Sequence, residues 1–243
     1  MARDDGFSAA HRQRVLGRVE SCGIVVGSAR GERTIIAMRN LASVVVLLLV
    51  ITTAPAATIV CLGDSLTAGQ GVDEDQAFPA VMQRLAAADK LTWTVVNAGV
   101  SGDTSAGGLR RVAWLVKAKP DWVFIALGAN DGLRGQPASA TRDNIVAMVE
   151  RFRAAGVKVA LGGMRLPTNY GEDYRTAFAA VFPQVAKDQT VPLLPFILDG
   201  VGGVARLNQA DGIHPTVEGQ EMIARSIYTF LRPLVEARVE TAP

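Results

Sequence analysis

The chain has 243 residues, 49% of them hydrophobic and 20% charged, with 25 basic against 23 acidic side chains. This is ordinary globular composition with room for one or two domains, and two cysteines leave no disulfide or metal framework. The near balance of charge gives no basic patch for nucleic acid or an anionic membrane.

The first segment to be read is a leader. Met38-Arg39-Asn40 is a short basic stretch, Leu41 to Ile51 is an apolar run, and Ala54-Pro55-Ala56 is a small-residue site. That order is a secretory signal peptide, too short to span a bilayer comfortably, with cleavage expected after Ala56. Residues 1–37 precede a plausible start at Met38 and receive no fold. The expected organisation is thus a removable leader over 1–56, its signal peptide at 38–56, and one domain over 57–243 in the periplasm or outside the cell, without a stable membrane anchor. The leader holds seven arginines, four acidic residues, one histidine and Cys22. What remains is near neutral, with Cys61 as a small buried hydrophobe and His214 as its sole histidine.

From Ile59 to Leu62 the apolar residues predict a buried strand that stops at Gly63-Asp64 and delivers Ser65. A helix follows over Phe78–Ala88, with Pro79 suited to its first turn. Thr92 to Val96 is β-branched and predicts a strand ending at Asn97-Ala98-Gly99. Leu109, Val112 and Val116 mark the inward stripe of a helix that stops before Pro120. Trp122 to Leu127 is apolar on both faces and predicts a central parallel strand closed by Gly128-Ala129-Asn130-Asp131. Ile145, Val149 and Phe152 form the next helical stripe, capped by Gly156, and Val157 to Leu161 a fourth strand. After a loop from Met164 to Gly171 come a helix from about Tyr174 to Lys187 and a short strand at Val191 to Leu194. The last helix begins near Pro215 with Ile223, Ile227 and Leu231 inward. Strand and helix alternate five times, which predicts a three-layer α/β/α domain with a parallel sheet.

Special turns then fall at the carboxyl ends of strands, the edge where open α/β sheets bind ligands: Ser65, Gly102-Asp103, Asn130 and Asp211-Gly212-Ile213-His214-Pro215. A serine hydroxyl becomes a nucleophile when a neighbouring base takes its proton, and in the mature chain only His214 offers an imidazole. Pro215 is expected to start the final helix and fix that imidazole at the mouth of the site. Asp211 reads either as the carboxylate that orients His214 or as a helix cap. The backbone N–H groups of Ser65 and Gly102 and the amide of Asn130 can serve as oxyanion donors, with Gly102 allowing close approach because it lacks a Cβ. Each of these residues also has a plain turn reading. Gly63 to Gly69 lacks the ending of a phosphate-cradling loop, and Leu66-Thr67 after the serine breaks the G-x-S-x-G elbow. The acidic run Asp73-Glu74-Asp75 reads as solvated surface, so no metal is assigned.

The blocks Gly63-Asp64-Ser65-Leu66, Gly102-Asp103-Thr104-Ser105, Gly128-Ala129-Asn130-Asp131 and Asp211-Gly212-Ile213-His214-Pro215 resemble the four signatures of the SGNH, or GDSL, hydrolase family. The stretches Asn97–Ser105, Asn130–Gly135 and Arg165–Gly171 resemble its branch of bacterial periplasmic acyl-CoA thioesterases I, lysophospholipases L1 and arylesterases. The resemblance implies a five-stranded parallel sheet in the flavodoxin-like order 2-1-3-4-5. It also implies a cofactor-free esterase and thioesterase acting on a small-molecule acyl ester or thioester, with Ser65, His214 and Asp211 as triad and Ser65, Gly102 and Asn130 as oxyanion donors. Asp64, Leu133, Leu166 and Pro167 are the expected substrate-binding residues. Carbohydrate O-acetyl esterase activity and a non-catalytic α/β binding module stay open beside this reading.

Overall fold

The computed structural model describes residues 56–237. The expected leader lies outside these residues except for Ala56, its last position.

Five strands form one sheet: β1 (Ala57–Gly63), β2 (Trp93–Gly99), β3 (Trp122–Ala126), β4 (Lys158–Gly162) and β5 (Leu193–Leu194). All pairs are parallel and the order is β2-β1-β3-β4-β5, as the family resemblance implies. The helices are α1 (Ser65–Ala68), α2 (Phe78–Ala88), α3 (Ser105–Lys117), α4 (Ala129–Leu133), α5 (Ala138–Ala154), α6 (Glu172–Asp188) and α7 (Val217–Glu236). Helices α2 and α7 pack together, as do α3, α5 and α6, so the sheet is covered on both sides. Covering both sides is why β3 could be an unbroken apolar run: every residue from Trp122 to Ala126 is buried. Each large side chain sequestered there contributes roughly 1.5–3 kcal/mol.

Register is what positions the site. Gly63 at the end of β1 pairs with Gly99 of β2 on one side and Ala126 of β3 on the other. The three strands therefore end level, and the loops that leave them meet.

Four expectations are corrected. Asn97-Ala98-Gly99 is the last part of β2 and not its turn, because all three residues pair with Cys61, Leu62 and Gly63. The strand predicted over Val191–Leu194 shrinks to its last two residues, since Pro192 has no N–H to give a ladder. In α3 the buried residues are Ser105, Gly107, Gly108, Val112 and Leu115, while Leu109 and Val116 are only half-buried. Glycine at 108 lets a different face of the helix pack against Leu127 and Met148, while Gly107 leaves room for the Asp103 carboxylate. Finally, Pro215 does not start α7. It bridges back to Asn208, and Thr216 is the N-cap, its hydroxyl accepting from the Gly219 N–H at 3.4 Å.

Candidate active site

Ser65 is the first residue of α1, and Asp64 is the cap before it. The Asp64 carboxylate accepts the Leu66 N–H at 3.0 Å and the Asn130 side-chain amide at 3.4 Å. Asp64 was expected to touch substrate; it borders the cleft, but its side chain is fully buried and engaged with these two donors. Its structural part is to hold α1 and Asn130 together. Burial pushes its carboxyl up to about 6, against the pull of the Leu66 N–H and of His214.

On the opposite side stands the turn from Gln209 to His214. Asp211 accepts the backbone N–H groups of Ile213 and His214, each at 3.0 Å, and its second oxygen lies 2.6 Å from His214 Nδ1. These hydrogen bonds, that from the imidazole foremost, hold the Asp211 carboxyl down at about 2. The helix-cap reading of Asp211 is thereby removed, because Thr216 occupies that position. His214 Nε2 lies 2.9 Å from Ser65 Oγ across 149 residues of chain. The two carboxylates of the site are pushed in opposite directions, Asp64 by desolvation and Asp211 by its donors.

Gly102 sits in the turn after β2 with φ of +78°, and a Cβ there would meet nothing closer than the Arg134 guanidinium at 3.6 Å. The left-handed backbone by itself calls for glycine at this position. Among the described residues, neither the Ser65 N–H nor the Gly102 N–H has a protein acceptor. Asn130 is the second residue of α4, exposed to the cleft on one side.

Three polar clasps fix these loops, and sequence patterning gave no sign of them. The Arg111 guanidinium donates to Asp103, to the Ala98 carbonyl at 2.7 Å and to the Gly63 carbonyl at 3.1 Å, tying the ends of β1 and β2 to the Gly102 turn. Fully buried Asp131 accepts the Ser105 N–H at 2.8 Å and the Ser105 hydroxyl, joining α4 to the start of α3. Arg134 donates to the Gly102 carbonyl at 2.9 Å.

Ser65 and His214 open onto a cleft of about 610 Å³. Leu133, Leu166 and Pro167 line it as expected, and Phe196, Leu198 and Ile213 were missed. The apolar run after Leu194 was the only sequence signal for Phe196 and Leu198, whereas Ile213 stands beside His214 in the Asp211–Pro215 block. Arg165 lies over the Phe196 ring at 5.0 Å and fixes that wall.

A serine, a histidine and an aspartate joined in that order on the carboxyl edge of a flavodoxin-like parallel sheet define the class of serine hydrolases built on that sheet. The chain belongs to the GDSL-like Lipase/Acylhydrolase family, which it matches over residues 61–222. It is 44% identical to "Esterase TesA" of Pseudomonas aeruginosa over 183 residues, 75% of this chain and 91% of the relative. It is 42% identical to "Thioesterase 1/protease 1/lysophospholipase L1" of Escherichia coli over 193 residues, 77% of this chain and 89% of the relative. Among solved structures, that of TesA superposes with a TM-score of 0.71 at 44% identity, covering 73% of this chain and 99% of the other.

Proposed function

We propose that the protein hydrolyses carboxylic esters and thioesters through an acyl-enzyme on Ser65. The observation that carries this reading is the unbroken line from Asp211 through His214 to Ser65 Oγ, with contacts of 2.6 and 2.9 Å, ending in an apolar-walled cleft. Relatives named esterase and thioesterase support both substrate classes.

Ser65 Oγ attacks the acyl carbon while its proton passes to His214 Nε2, and Asp211 stabilises the imidazolium and holds its tautomer. The oxyanion of the tetrahedral intermediate is received by the N–H groups of Ser65 and Gly102 and by the Asn130 amide. Collapse breaks the bond to the alcohol or thiol, which leaves with the proton from Nε2, and the acyl group stays on Oγ. Water then attacks that ester, gives its proton to Nε2, and the carboxylic acid departs as the proton returns to Oγ. Leu133, Leu166 and Pro167, with Phe196 and Leu198, receive the acyl chain, and Asp64 positions Ser65 and Asn130 from beneath. A cleft of about 610 Å³ with these apolar walls exceeds what an acetyl group fills, which favours acyl chains over carbohydrate O-acetyl groups.

Export is part of the proposal: residues 38–56 direct the chain out of the cytoplasm and are removed with the rest of 1–56, leaving the hydrolase domain from 57 onward. No helix among the described residues is long and apolar enough to cross a membrane. The test of the catalytic reading is Ser65→Ala assayed with p-nitrophenyl acyl esters. Turnover should vanish with the circular dichroism spectrum unchanged; retained turnover would discard Ser65 as nucleophile.

A further inference from the structure

We infer that Gln209 is a positioning residue that sets the distance between the nucleophile and its base; this rests on the proposed function of Ser65 and His214. The two partners stand on separate segments. Ser65 begins α1, whose last turn is closed by Gln70, its N–H donating to the Ser65 carbonyl at 3.0 Å. His214 ends a tight turn held shut by the Gln209 N–H on the His214 carbonyl at 2.7 Å and the Gly212 N–H on the Gln209 carbonyl at 2.9 Å.

The Gln209 side chain joins the two segments. Its Nε2 donates one proton to the Gln70 carbonyl at 2.7 Å and the other to the Pro215 carbonyl at 2.9 Å. An amide nitrogen has two protons, so both are used. Among the described residues this is the one hydrogen bond, besides Ser65–His214 itself, that joins the 208–215 turn to the segment from Ser65 to Gln70. A continuous path therefore runs from Ser65 through Gln70 and Gln209 to Pro215, parallel to the Oγ–Nε2 contact. The chain also leaves room for it: Gly71 has φ of +82°, and a Cβ there would stand 2.1 Å from Gln209 Oε1. Any side chain at 71 would displace the amide.

Catalysis by a positioned pair is steep in geometry, and a misplacement on the order of 1 Å can cost roughly 10²-fold. Gln209 touches neither substrate nor reacting atoms, so its loss lowers kcat and leaves KM in place. The experiment compares Gln209→Leu and Gln209→Glu, which keep bulk and lose both donors, with Gly71→Ala, which dislodges the amide from the other side. Each is assayed for p-nitrophenyl butyrate turnover and for the rate of Ser65 labelling by an organophosphonate, on protein whose fold is checked by circular dichroism. Folded variants should lose about 10- to 100-fold in kcat and, in parallel, in labelling rate, with KM within about twofold. A purely structural role would lower the melting temperature and leave both rates unchanged in folded protein, and that result overturns the inference. Should Gln209→Leu fail to fold, Gln209→Glu and Gly71→Ala carry the same comparison. A wild-type protein inert to both ester and phosphonate would discard the proposed function and the role of Gln209 together, whereas active wild type with unimpaired variants discards Gln209 alone.

Discussion

Asp211 grips His214 at two points: one carboxylate oxygen accepts the His214 backbone N–H at 3.0 Å, and the other lies 2.6 Å from Nδ1. Backbone and ring are thereby set by one side chain, and the position of Nε2 toward Ser65 follows.

Replacing that carboxylate leaves the turn closed by its backbone bonds but removes the acceptor that fixes the tautomer. Asp211→Asn should cost up to roughly 10⁴-fold in kcat. Thr216→Ala supplies the contrast, since it removes the real cap of α7: it should cost about 0.5–2 kcal/mol of stability and leave kcat unchanged. Steady-state kinetics beside urea denaturation separates the two; equal, stability-only effects would make Asp211 a structural residue.

Asn130 offers its amide without a charge, and among the described residues the one hydrogen bond of that amide is the long 3.4 Å bond to Asp64. Asn130→Ala should lower kcat about 10²- to 10³-fold with KM little changed, as expected for a donor used chiefly in the transition state. An unchanged kcat would remove it from the oxyanion site.

Asp64 carries a pH prediction. Its carboxyl ordinarily titrates at 3.8 and is raised to about 6 in the fold by burial. The folded chain then holds this proton more tightly than the unfolded chain, so the residue makes stability fall as pH rises from about 4 to 6. Asp64→Asn should flatten that part of the slope, measured by urea denaturation across the range. It should also lower kcat by about tenfold, because the new amide faces the Asn130 amide donor to donor. An identical slope in the variant would mean that Asp64 stays ionised throughout.

Much of this architecture was readable because several physical signals agreed. A strand apolar on both faces, as in Trp122–Ala126, is what a parallel sheet covered on both sides calls for, and the alternation with helices agreed with it. One histidine within residues 57–243, beside a Gly turn, leaves little choice of base. What escaped were contacts without a period. The bond from Gln209 to Gln70 spans 139 residues and leaves no trace in local sequence. The Arg111 clasp closes on main-chain carbonyls, which every residue possesses. The cleft wall at Phe196 follows a strand that Pro192 cuts short, so the apolar run there could not be divided between sheet and loop. Asp211 and Thr216 are both good caps by type, and geometry alone separated them.

The central claim is that Ser65 reacts because His214 takes its proton. The most direct measurement is intact-mass spectrometry after incubation with an organophosphonate ester, with the adduct mapped by peptide sequencing. The wild type should gain one adduct, on Ser65, and His214→Ala should remain unlabelled over the same interval. A wild-type protein without an adduct, or labelling of Ser65 at the same rate when His214 is absent, would contradict it.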